Sequence, residues 1–113
     1  MMVFNLKEKC ENSVKREFFY GRMQNAKIKD VYLGLCYLDP EESGRKAGAG
    51  SGHEEILYLP KGKILINDED KEIVLNEGET YFFPEGSHVL LKNLKSEKIY
   101  FIIAGGHPKP HAH

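Results

Sequence analysis

From residue 27 onward the chain alternates apolar and polar positions with a period of two, in short runs separated by turn residues every ~8–12 positions. The first run, residues 27–38, puts Val31, Leu33, Leu35 and Tyr37 on one face and Tyr32, Gly34, Cys36 and Leu38 on the other. Both faces are apolar, which predicts a strand covered on both sides. Asp39-Pro40 ends it. Further strands are predicted over residues 54–59, 63–67, 71–75, 79–83, 88–93 and 98–104. The clusters Asp68-Glu69-Asp70, Asn76-Glu77-Gly78 and Pro84-Glu85-Gly86 supply turns between them. No helical period is sustained in this part, so the pattern predicts an all-β antiparallel sandwich or barrel.

The flanks read differently. Residues 5–14 fit a short helix or an irregular lead-in, and Glu17-Phe18-Phe19-Tyr20 fits a further strand, on this barrel or on a neighbouring subunit's. Residues 1–26 are therefore an extension, 27–104 the barrel and 105–113 a tail. Glycines and prolines in that tail (Gly105, Gly106, Pro108, Pro110) argue against a regular ladder and for a flexible terminus. Residues 41–52 end in Ala47-Gly48-Ala49-Gly50-Ser51-Gly52, which holds little to pack and suggests a lid over the barrel mouth or a loose loop. It is not a phosphate loop, because no Gly-Lys-Ser/Thr follows.

Composition narrows the function classes. A chain of 113 residues forms one domain. A net charge of −1 gives a nucleic-acid backbone or an anionic membrane no electrostatic attraction. No run of apolar residues is long enough to span a membrane, and the N-terminus lacks a secretory pattern. Two cysteines, Cys10 and Cys36, are no disulfide framework, so a cytoplasmic location is expected.

Two spaced motifs carry the rest. Glu55 is followed by six residues and Gly62; Gly78 is followed by five residues, Pro84-Glu85-Gly86, and then Asn93. The 15 residues between Gly62 and Gly78 fit two strands and a tight hairpin. In this order and spacing, over residues 32–104, the sequence resembles the cupin superfamily. The resemblance implies an antiparallel double-stranded β-helix, or jelly-roll barrel, that pairs as a homodimer. If Glu55 faces the barrel, Leu57 and Leu59 do too, and Tyr58 points outward toward a subunit interface.

In metal-binding cupins the first motif also carries His-x-His and the second a further histidine, and together they hold Mn, Fe, Ni or Zn with positions open to substrate. Here residues 47–52 stand where His-x-His belongs, and the nearest histidine, His53, precedes Glu55 by two. In the second motif the histidine position falls on Val89. His88 comes one residue early, which on a strand turns a side chain to the opposite face unless a bulge restores the phase. Two readings follow. In one, the barrel binds a small polar metabolite in a pocket of His53, Glu55, Leu57 and Phe83, with its metal site degraded. In the other, His53, Glu55 and His88 hold one divalent metal for isomerase, epimerase or dioxygenase chemistry. The tail histidines His107, His111 and His113 are further candidate ligands. No catalytic residue is assigned.

Overall fold

The structure is a computed structural model that describes residues 3–108. Among these residues nine strands form two antiparallel sheets. β1 (Glu17–Tyr20), β2 (Tyr32–Leu38), β9 (Ile99–Gly106), β4 (Glu54–Tyr58) and β7 (Thr80–Phe83) make a five-stranded sheet in that spatial order. β3 (Arg45–Ala47), β8 (Val89–Asn93), β5 (Lys63–Asp68) and β6 (Lys71–Asn76) make a four-stranded one. A short helix, α1 (Leu6–Glu11), precedes them, with the Asn5 side chain accepting the Glu8 amide at its N-terminus. Among the described residues no helix is long and apolar enough to cross a membrane.

The inward positions of the alternating runs meet between the sheets. Leu38, Leu57, Leu59, Ile64, Ile66, Phe83 and Leu91 are fully buried there, with Cys36, Phe101 and Ile103 completing the same cluster. Removing this apolar surface from water is the main stabilising term of the fold. The β5–β6 hairpin turns through Glu69 and Asp70, with Glu69 at a positive φ of 56°. Gly62 has φ 105°, and a Cβ there would lie 2.7 Å from the Ile99 side chain, so both its backbone and its surroundings require glycine.

Two sequence expectations change and one left open is resolved. Residues 41–52 are not a loose lid: β3 pairs with β8, and the glycine segment is fastened to the turn before β8. The Ala49 amide donates to Ser87 Oγ, the Gly50 amide to the Ser87 carbonyl and the Gly52 amide to Glu85 Oε2. Ala49 itself is buried in the core. Gly105 and Gly106 do form a ladder, pairing with Glu55 and Glu54 as the last residues of β9. Finally, β1 pairs with β2 of the same chain, so this part of the extension belongs to its own sheet.

Candidate functional site

At one end of the sandwich the inward row across the five-stranded sheet reads Tyr32, Gly105, Glu55, Phe83. Glycine at the second position matters. A Cβ on Gly105 would lie 2.4 Å from Tyr32 Cζ, so its absence lets the phenol ring lie across β9. Tyr32 thereby reaches two strands over and donates its hydroxyl to Glu55 Oε2 at 2.6 Å. This is a short, charge-assisted bond when the carboxyl is ionised.

Two histidines border this pair. The His53 ring meets Tyr32 edge-on at 5.5 Å, and the His107 ring lies 5.2 Å from His53. His107 Nδ1 is 3.1 Å from Asp30 Oδ1, which ties the end of β9 to the segment before β2. A shallow cavity of about 260 Å³ opens on the outward side of this end of the sheet, lined by Glu54, Ile56, Phe82 and Ala104 together with Glu55, Gly105, Gly106 and His107.

Electrostatics set this carboxyl apart. Burial pushes the Glu55 pKa up, while the Tyr32 hydroxyl and nearby His53 pull the other way and offset it only in part. Burial also raises the Tyr32 hydroxyl, with its bond to Glu55 acting in the same sense. Both groups therefore resist ionisation more than the free side chains do.

The sequence-predicted residues separate into two groups. Glu55 and His53 reach the mouth. Leu57 and Phe83 are fully buried core residues, so neither lines an open pocket. His88 lies outside the site altogether. It precedes β8 as an exposed residue, no bulge reverses its phase, and Val89 takes the inward position. Its side chain borders an open groove on the outer face of the four-stranded sheet with Lys46, Asn67 and Leu90. The set His53, Glu55 and His88 is therefore not brought together, and the described residues contain no group of three or more His, Cys, Asp or Glu side chains placed to hold a metal. The donors present do not fit the metal site that the motifs imply in relatives. His111 and His113 lie outside the described residues.

Tyr32, Gly105 and Asp30 are site residues that the sequence reading missed, while His107, a candidate from the tail, joins them. Tyr32 does carry a signal, since it shares the parity of Gly34, Cys36 and Leu38. The contact of Asp30 with His107 spans 77 positions and leaves no local trace.

Solved structures with the same architecture decide the family of folds. A cupin domain of Cnp3 from Schizosaccharomyces pombe superposes with a TM-score of 0.65 at 11% identity, covering 81% of this chain and 65% of that one. A predicted oxalate decarboxylase from Thermotoga maritima gives 0.64 at 17% identity, covering 80% of each chain. The chain has the cupin fold. An oxalate oxidase in complex with the substrate analogue glycolate gives 0.68 at 14% identity, covering 88% of this chain but only 55% of the oxidase. The chain thus spans about two thirds of the Cnp3 domain and about half of the oxidase. No family model and no curated protein matches the sequence.

Proposed function

We propose that this chain is a small-molecule-binding cupin that recognises a small polar metabolite at the mouth of its barrel through Glu55. The observation that carries the reading is the Tyr32–Glu55 bond, made by a half-buried carboxyl of raised pKa at the wall of a cavity. A desolvated carboxyl at an open rim costs stability and is worth keeping only where a ligand uses it. A carboxylate offers about four lone-pair sites, of which Tyr32 takes one. Hydroxyl or amine donors of a ligand suit the remainder, while the His53 and His107 rings offer stacking faces and ring nitrogens. The cavity lies below the ~300–1,000 Å³ of sites for drug-sized ligands, which favours a small polyol, hydroxy acid or amine. The free thiols of Cys10 and Cys36 support a reducing, cytoplasmic setting. What weighs against the metal-dependent alternative is that His88 stands as an exposed residue just before β8, away from His53 and Glu55.

The test is an NMR screen of small polyols, hydroxy acids and amines against the wild type and Glu55→Gln. Binding should perturb Tyr32, His53 and Gly105 in the wild type, and should be lost in a variant that stays folded. A ligand that binds Glu55→Gln equally well, or that perturbs only distant residues, would sink the proposal.

A further inference from the structure

Two features of the sequence, the glycine run after β3 and the out-of-phase His88, meet on the sheet that the mouth does not use. Gly48 has φ 118°, and a Cβ there would lie 2.3 Å from the Ser87 carbonyl oxygen, so only glycine lets the chain leaving β3 close on the turn before β8. Lys46 and His88 thereby border one groove of about 520 Å³, twice the volume of the cavity at the mouth and within the range of small-molecule sites. Leu90 lies between Lys46 and Asn67 in one outward row and supplies an apolar floor. His88, two residues before Leu90, shares its outward parity. Glu69 borders the groove from the β5–β6 turn.

Glu69 has a positive φ of 56° at a turn position where glycine is the usual occupant. Keeping a side chain in the left-handed region costs free energy, and such positions gather at functional sites. Among the described residues the side chains of Lys46, Asn67, Glu69 and His88 make no hydrogen bond or ion pair. Arg45, next to Lys46 in the chain but turned inward, is by contrast paired with Glu42 and Glu17.

We propose that this groove is a second ligand site, which binds a zwitterion of dipeptide size. The ligand's carboxylate meets Lys46 and the Asn67 amide, its ammonium meets Glu69, its apolar body lies on Leu90, and the His88 ring forms a side wall. Charge selects the class: Lys46 and Glu69 stand at opposite ends of one apolar floor, so an anion alone is repelled at one end and a cation alone at the other. Spacing selects the size. Lys46 and Asn67 are two strands apart, and Glu69 lies two residues beyond Asn67, which sets the Lys46 and Glu69 backbones about 12 Å apart. Side chains stand roughly perpendicular to a sheet, so the charged heads keep about that separation. A contact of about 3 Å at each end leaves about 6 Å between the ligand's own charges, the span of two extended residues. A single α-amino acid is too short to reach both heads. The site uses neither Glu55 nor the mouth, so it stands or falls apart from the proposed function.

Chemical-shift titration of the full chain with the dipeptide alanylalanine tests the site. Saturable shifts should centre on the amides of Lys46, Asn67, Glu69 and Leu90. Acetylating the dipeptide's amine or amidating its carboxylate should each weaken binding about 3–5-fold, the worth of one exposed charge pair, and free alanine should bind at least as weakly as either. Lys46→Gln should weaken the dipeptide by the same factor and leave the amidated form unchanged. Glu69→Gln should do so for the dipeptide and leave the acetylated form unchanged. Lys92→Gln, which removes a charge from the same face outside this groove, should bind as the wild type does. Glu69→Gly relieves the left-handed backbone, so it should melt no lower than the wild type while binding as weakly as Glu69→Gln. Absence of saturable shifts at these residues, shifts centred on Tyr32, His53 and Gly105 instead, or equal affinity for the free and blocked dipeptides would overturn the proposal. A Glu69→Gly variant that melts lower would make Glu69 a structural residue and remove the ammonium end of the site.

Discussion

The two ends of the sandwich are built from similar materials and left in opposite states. Away from the mouth, Asn93 is fully buried and meets its polar neighbours on every side: it donates to the carbonyls of Asp39 and Glu97 and accepts the Lys95 amide. Beside it Arg45 donates to the Tyr37 and Arg16 carbonyls and pairs with Glu42 and Glu17, while Arg16 also bonds Glu42 at 2.9 Å. Among the described residues Arg16 Nε is the one buried side-chain polar atom without a hydrogen bond, at 3.8 Å from Asp39. At the mouth a single carboxyl is held by a single hydroxyl, with two imidazoles bordering the pair and a cavity beside it. Partnered polar groups close one end, and the other keeps a group in reserve. A polar group that its own chain leaves under-partnered is a better guide to ligand binding than one that is merely charged.

The largest effect should come from the closed end. Asn93→Ala leaves two carbonyls and one amide without their partner and opens a cavity under the turn from Leu94 to Lys98. A loss of about 3 kcal/mol is expected in chemical denaturation. Asn93→Asp should rescue little, because it keeps the acceptor for Lys95 but loses the two donated bonds. A loss below about 1 kcal/mol for the alanine variant would mean that water replaces these bonds and the two ends differ less than argued.

At the open end the corresponding change is Gly105→Ala. Gly105 has an ordinary extended backbone, so the strain is one of space: the new Cβ would meet the Tyr32 ring at 2.4 Å. The ring must move away, and Glu55 loses its donor. The expected cost is about 1–2 kcal/mol, in the range of overpacked sites. The Tyr32 bond lowers the Glu55 pKa, so its loss should raise that pKa further, as followed by carbon-13 titration of the carboxyl. An unchanged titration curve would show that Tyr32 reaches Glu55 without needing the glycine.

Much of the closed end was legible in the sequence and little of the open end was. Asn93 stands at its motif position, and the glycine and proline spacings of the two motifs mark real turns. The alternation of residues 54–104 places nearly every buried side chain, because burial on one face of a strand is a local pattern. β3 escaped notice because three residues beside a glycine run become a strand only by pairing with Val89–Leu91. Gly105 and Gly106 read as ladder breakers by composition, yet they extend β9. What decides is the Tyr32 ring, which fits only where side chains are missing. The offset of His88 was visible as a one-residue count, whereas the approach of His107 to Asp30 depends on the fold alone.

The smallest effects concern pH and should have opposite signs at the two ends. Burial tends to raise the Glu42 pKa, but the Asp39 amide and the Arg16 and Arg45 guanidinium groups outweigh it and hold the carboxyl below its usual range. A depressed carboxyl contributes stability above its unfolded pKa and loses it as pH falls through the folded value. Glu55 is raised, so its favourable contribution belongs to acid pH and is lost as pH rises through the folded value. Denaturation midpoints measured from acid to neutral pH should therefore respond differently to two isosteric changes. Glu42→Gln should cost about 1 kcal/mol at neutral pH and flatten the acid limb, since the paired charge is gone. Glu55→Gln should stay within about 0.5 kcal/mol of the wild type or gain stability at neutral pH, because an amide oxygen still accepts the Tyr32 hydroxyl while no charge is desolvated. Equal losses in both variants at neutral pH would mean that Glu55 is a structural carboxylate like Glu42. The mouth would then be a second closed end, with no group held back for a ligand.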